Sequence, residues 1–209
     1  MKLYDTQMAP NPRRARIFIA EKGLDIPRQE VSIIEGDNLK PEYLAVNPWG
    51  TLPALELDDG NVITEAPCIM RYLEALHPEP NLLGRDPLEA ARIEAWERFC
   101  EMNGMQAVGE FFRNKFEPFA ERAMPGYSGV KTIPALVERG KQRVAFFHAQ
   151  LEKRLAESEY LGGDRFTAAD ITGLCAVDFG KGVGLPFPEG NQATARWHAA
   201  VSARPSAAN

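Results

Sequence analysis

Cysteine and histidine are scarce, three of each in 209 residues. Cys68, Cys100 and Cys175 are too scattered for a disulfide framework, and no C-x-x-C pair occurs. His77, His148 and His198 lie far apart, so no metal-ligand spacing arises and no metal is expected. A run of about 18 apolar residues is missing as well, which excludes a membrane-spanning helix. Basic charge is not in excess. The formal net charge is −5, and residues 1–78 hold 8 Lys/Arg against 12 Asp/Glu. Nucleic acid is therefore not an expected partner. Met1 to Asp5 carries no signal-peptide core, which points to a cytoplasmic protein.

The composition is otherwise that of a folded chain, 44% hydrophobic and 25% charged. Its periodicity divides the chain in two. Lys2 to Asp5 reads as a strand. Pro12 suits a first helical turn, Ala15, Phe18, Ile19 and Lys22 follow helical spacing, and Gly23 stops the helix. Arg28 to Ile34 reads as a second strand, so the chain opens β-α-β with a parallel pair. A polar connection and a short helix at Pro41–Val46 follow. Leu52 to Leu57 reads as a third strand, Asp58 to Asn61 as a hairpin turn, Val62 to Thr64 as the returning strand and Ala66 to Leu76 as a helix.

Pro78, Pro80 and Pro87 mark a linker, and the pattern after it is helical. One long helix is expected from Leu88 to Phe116, kinked near Gly104 or Gly109. Others are expected over Pro134–Glu157, Thr167–Phe179 and Gln192–Ala203, the second of these apolar nearly all round and so central. The units are thus 1–78, a 79–87 linker, and an all-α unit over 88–209. The three cysteines read as buried small apolar residues.

Four stretches carry chemistry. In Asn47 to Leu55, Pro53 stands at the mouth of a strand. Either it simply initiates the strand, or a cis Leu52–Pro53 bond turns the Leu52 backbone outward to pair with an extended peptide. In Thr64 to Ile69, Glu65 and Ala66 open a helix whose first N–H groups suit an anion, while Glu65 suits an ammonium. Capping by Thr64, with Glu65 favourable to the helix dipole, is the alternative. Met8 to Arg14 joins the first strand to the first helix at the carboxyl end of the sheet, where ligands gather. There the Asn11 amide either donates to an anion or serves the turn, and the arginines read as solvated helix charges. Thr167 and Asp170 form a capping box, with Phe166 placed for a hydrophobic staple.

These stretches, in this order, resemble the soluble glutathione S-transferase family along the whole chain. The N-P-x-G-x-[LV]-P-x-L segment at Asn47–Leu55 carries the resemblance, with T-E-x-x-x-I-x-x-Y-L at Thr64–Leu73 and F-T-x-A-D-I at Phe166–Ile171. So does the close from Arg196-Trp197-His198 through Ser206. The resemblance implies a thioredoxin-like β-α-β-α-β-β-α domain followed by an all-α domain. It also implies a cis Pro53 and a homodimer, with glutathione as co-substrate.

Carried over by position, the Leu52 backbone pairs with the cysteinyl part, next to Thr51 and Pro53. Glu65 and Ala66 hold the γ-glutamyl group, although members usually have Ser where Ala66 stands. Asn38 and Lys40 are candidates for the glycyl carboxylate. At the thiol, Ala9 stands where some classes have Ser, and Asn11 stands where beta-like members have Cys. An Asn there is similar to nu-like bacterial members with disulfide-reducing activity, which makes Asn11 the catalytic candidate. Tyr4 matches by type but is expected to point into the sheet. Met8, Met105 and Phe112 are candidates for a second pocket, each equally open to core packing. The resemblance implies a transferase that joins glutathione to an apolar electrophile or reduces a disulfide or peroxide. A non-catalytic glutathione- or ligand-binding protein is the alternative, and a glutathione-using isomerase or dehalogenase a third.

Overall fold

The computed structural model describes residues 1–209. Strands and helices alternate first: β1 (Lys2–Asp5), α1 (Pro10–Glu21), β2 (Arg28–Glu30), α2 (Pro41–Leu44), β3 (Ala54–Glu56), β4 (Val62–Thr64) and α3 (Ala66–Leu76). The strands form one mixed sheet in the order β2-β1-β3-β4. β1 and β2 are parallel, as a strand-helix-strand crossover demands, and β3 is antiparallel to both β1 and β4. Period-two alternation sends side chains to opposite faces. Leu3 and Leu55 join Phe18 of α1 and Ile69 of α3 in the main core. Tyr4 and Ala54 turn to the other face, with Val31, Tyr43 and Leu52. The result is a thioredoxin-like sheet.

The remainder is helical: α4 (Pro87–Phe99), a π-helical turn (Cys100–Met105), α5 (Gln106–Lys115), α6 (Pro134–Glu157), α7 (Ala168–Gly182) and α8 (Gln192–Ser202). The expected kink is the π turn, which contains Gly104 and lets α4 run on into α5. Asp86 caps α4 by accepting from the N–H groups of Leu88 and Glu89 at 2.8 and 2.9 Å. α7 lies in the middle with nearly every residue of its first three turns buried, and it packs against α1 of the sheet unit. Asp170 ties its start down. One carboxylate oxygen accepts from the Thr167 backbone and hydroxyl, the other from the Leu161 N–H and the Trp197 indole. Burial pushes this carboxyl up to about 6 against those four donors.

Several elements differ from expectation. β2 stops at Glu30 rather than Ile34. Its partner β1 ends at Asp5, whose carbonyl takes the Val31 N–H, and the chain then turns, with the Asp37 N–H on Ser32 O. β3 spans only Ala54–Glu56, because Pro53 has no N–H for the ladder and Leu57 already belongs to the hairpin turn. α7 continues three residues past Phe179. Cys68 is exposed rather than buried, whereas Cys100 and Cys175 are buried. The arginines of α1 are not solvated. Arg14 and Arg16 are buried, and Arg13 donates to Asp178 at 2.6 Å and to Ala207 O at 2.9 Å.

Candidate active site

Two ends meet at one edge of the sheet. The register sets Ala54 opposite Thr64, so the residues before β3 and the residue after β4 are neighbours. The Leu52–Pro53 bond is cis. Leu52 is only 7% exposed, yet its backbone N–H and C=O make no hydrogen bond within the chain. Buried backbone groups nearly always have a partner, so this pair marks a place where an extended backbone adds on.

Facing it is the start of α3. Glu65 is its N-cap residue, with φ 68° and ψ 124°, and no other non-glycine residue has a positive φ. Such a backbone costs roughly 1–3 kcal/mol and persists where the surroundings impose it. Here β4 ends at Thr64 and α3 begins at Ala66, leaving one residue for the whole turn. The Glu65 carboxylate is exposed and bound to nothing, while the Ala66 N–H has no partner. An unpaired N–H at a helix N-terminus beside a free carboxylate suits a group carrying both a carboxylate and an ammonium.

The loop leading to Leu52 is held rigidly. Asn47 donates its amide to Thr51 O (2.8 Å) and Thr51 Oγ1 (3.1 Å), and Tyr43 donates its hydroxyl to Thr51 O at 2.5 Å. Burial pushes the Tyr43 phenol well up, so it stays protonated for this bond. Asn38 is buried and donates to Gly50 O at 2.7 Å. It braces the loop from inside, and Thr51 likewise turns its hydroxyl to Asn47. Lys40 is exposed and paired with Asp37 at 2.5 Å.

From the helical half, residues 117–132 reach across as a strap. Arg122 donates to Ile33 O (2.8 Å) and Ile34 O (3.0 Å). Gly126 and Gly50 meet face to face with φ 77° and 61°, and a Cβ on Gly126 would lie 2.0 Å from Trp49 O.

The β1–α1 connection supplies the third wall. Glu30 accepts from the Thr6 hydroxyl at 2.8 Å and the Gln7 N–H, and Arg16 donates to Thr6 O and Gln7 O. Ala9 is the N-cap residue of α1 and offers no side-chain cap. Asn11, in the first turn, is exposed and accepts from Arg14 Nη1 at 3.0 Å. Arg14 is a buried residue at this site that reading the sequence missed. Its signal was helical spacing, since it lies three and four residues before the buried Ile17 and Phe18. Its Nε donates to Thr172 (3.0 Å), and its Nη2 to Glu97 (3.0 Å) and Glu101 (3.1 Å). Burial pushes the Glu97 carboxyl up, with Arg14 and Arg98 pulling it down.

The remaining candidates are not gathered. Tyr4 points its hydroxyl to Glu56, 2.8 Å away and toward the far end of the strand pair from Leu52. Met8 is 91% exposed and Met105 lies in the main core. Phe112 packs among Phe116, Phe119 and Phe179. No group of three or more His, Cys, Asp or Glu is placed to hold a metal ion.

Two family models match, described as glutathione S-transferase N-terminal domain over residues 9–76 and C-terminal domain over residues 105–205. The chain belongs to the glutathione S-transferase family. Glutathione S-transferase 2 of Saccharomyces cerevisiae is 34% identical over 99% of this chain and 87% of its own. Maleylacetoacetate isomerase of Pseudomonas aeruginosa is 44% identical over 44% of each chain. The crystal structure of a glutathione S-transferase domain-containing protein from Marinobacter aquaeolei superposes with a TM-score of 0.91, 35% identity and 99% coverage of both chains. That of Gtt2 from Saccharomyces cerevisiae gives 0.91 at 31% identity, over 99% of this chain and 98% of its own. This glutathione S-transferase is an enzyme with glutathione-dependent transferase activity, and its fold is that of the family. No helix is long and apolar enough to cross a membrane.

Proposed function

We propose that glutathione lies along the Leu52–Pro53 edge with its cysteinyl N–H and C=O on the Leu52 C=O and N–H. Its γ-glutamyl carboxylate takes the Ala66 N–H at the start of α3, and its ammonium takes the Glu65 carboxylate. The observation that carries this reading is the unpaired backbone pair of a buried Leu52 beside the unpaired Ala66 N–H. Lys40 stands on the turn at the glycyl end, and Asn38 and Thr51 act through the loop they brace.

The thiol then reaches the N-terminus of α1, where Asn11 donates its amide N–H to the sulfur. A thiol of pKa about 8.5 is roughly 3% thiolate at pH 7. Lowering the pKa by about two units takes about 2.7 kcal/mol. One charge-assisted hydrogen bond supplies roughly 1.5–3 kcal/mol, and the helix terminus about 0.3–1. No proton-accepting side chain is required. The thiolate attacks the electrophilic carbon of an apolar substrate, displacing a leaving anion such as halide, or one sulfur of a small disulfide, breaking the S–S bond and releasing the other sulfur as a thiolate. Retention on immobilised glutathione, followed by assays with an aryl halide and with a small disulfide, tests the reading. Turnover of either supports it, and failure to bind overturns it.

A homodimer fits the surface. Between α3 and α4 lies a concavity of about 230 Å³ lined by Arg71, Leu83, Ala90 and Glu94, and α4 also carries Leu88, 60% exposed. Light scattering reads twice the chain mass if this holds and the single-chain mass if it does not.

A further inference from the structure

We propose that Arg14 is a positioning residue that fixes the Asn11 amide with its NH2 end toward the glutathione sulfur, from a seat built by the helical half of the molecule. The inference rests on the role given to Asn11 above and adds what orients that side chain.

An asparagine amide has a donor end and an acceptor end, and a thiolate is stabilised only by the donor. An exposed asparagine with no fixed partner samples both. A guanidinium has five N–H donors and no acceptor, so only the Oδ1 end of Asn11 can face it. The 3.0 Å contact from Arg14 Nη1 to Asn11 Oδ1 therefore settles which end is left for the ligand. The reversed amide would set N–H against N–H at Arg14 and an oxygen lone pair against the sulfur.

The seat of Arg14 is rigid. The residue is 1% exposed, and its planar fork is taken up on every side. Thr172 of α7 holds Nε, while Glu97 of α4 and Glu101 of the π turn share Nη2. Arg98 stands behind both carboxylates, 2.9 Å from Glu101 and 3.6 Å from Glu97. Cys100 and Cys175, both buried, also lie within electrostatic reach of the guanidinium. The orientation of a side chain on α1 is thus imposed by three elements of the helical half. A lysine at this position keeps the positive charge for Glu97 and Glu101. It lacks the second fork nitrogen that reaches Asn11.

The test is a double-mutant cycle on the thiol pKa of bound glutathione, read from thiolate ultraviolet absorbance against pH. The proteins are the wild type, Asn11→Ala, Arg14→Lys and the double variant. Each single substitution is expected to raise the pKa by about one unit, which takes the thiolate at pH 7 from roughly three quarters to about one quarter of the bound glutathione. The double variant is expected to match the singles, because Arg14 acts only through Asn11. Affinity for S-methylglutathione, which has no thiol to ionise, is expected to stay unchanged in Arg14→Lys. Additive shifts overturn the proposal, as does an unmoved pKa in Arg14→Lys when Asn11→Ala raises it; the role of Asn11 then survives alone. An unmoved pKa in Asn11→Ala removes both. Should Arg14→Lys fail to fold, a crystal structure of the wild type with glutathione decides. Asn11 Nδ2 on the sulfur with Oδ1 on Arg14 supports the proposal. An amide turned from the sulfur or parted from Arg14 overturns it.

Discussion

Asn11 has no proton to lose at any accessible pH, which sets it apart from a tyrosine or cysteine at the same place. An asparagine can lower a thiol pKa only by donating, so in the proposed role the contribution of Asn11 scales with one hydrogen bond to an anion. Asn11→Ala is expected to cost about 1.5 kcal/mol, roughly a three- to fourfold fall in kcat/KM at pH 7 that approaches about tenfold below pH 6. The loss should shrink toward high pH, where the thiol ionises unaided, and a pH–rate profile checks this. A loss that stays constant across pH contradicts the donor role. At this scale the sequence was informative where chemistry is local. The cis Leu52–Pro53 bond and the helix start at Ala66 fall where the sequence pattern placed them, although residue type alone left plain strand initiation and helix capping open. Arg14 was not legible in this way, because its partners Glu97, Glu101 and Thr172 lie 83 to 158 positions away. Spacing along α1 shows that it faces the core, and nothing local shows what it meets there.

The strap of residues 117–132 belongs to the scale of elements. It meets the Trp49–Leu52 loop through two glycines at positive φ, and Gly126 has no room for a side chain. An alanine there carries about 1–3 kcal/mol of backbone strain besides a collision with Trp49 O. Gly126→Ala is expected to loosen the loop that presents Leu52. KM for glutathione should rise severalfold or more, with kcat less affected, and amide exchange at Trp49–Leu52 should quicken. An unchanged KM with unchanged exchange contradicts the clamp. Helices with long amphipathic repeats, α3 and α6 above all, were legible almost to the residue. β3 came out shorter because Pro53 and the hairpin turn bound it, and β2 came out shorter than its apolar run suggested because a strand extends only as far as its neighbour. The neighbour's end at Asp5 is a tertiary fact.

Across the whole molecule, ion pairs set an acid limit, and those of Glu21 with Arg204 and of Arg13 with Asp178 also tie the halves together. Arg204 and Ser206 hold the Glu21 carboxyl below the usual range against burial, and His198 and Arg13 do the same for Asp178. Arg165 holds Glu89 down to about 2, and Arg139 lowers Glu110. A native pKa below the unfolded one means that the unfolded chain takes up protons first. This stability is present above about pH 4.5 and is lost as pH falls toward 2. Asp170, raised to about 6, and Glu97, also raised, work in the opposite sense, because their native carboxyls bind protons more readily than unfolded ones. Below about pH 4.5 the lowered carboxyls dominate, so the urea midpoint is expected to fall between about pH 4.5 and pH 2.5. A flat or rising midpoint contradicts this balance.

The two-part architecture was readable from the change of period at the linker, whereas the strap and the Arg14 node needed the chain folded. The central claim is that the Leu52 edge and the start of α3 receive glutathione together. Calorimetry of glutathione binding to the wild type and to Glu65→Gln tests it most directly. Saturable heat in the wild type is expected, with affinity at least tenfold weaker once the Glu65 charge is gone. No heat at millimolar glutathione, or equal affinity in the two proteins, would contradict it.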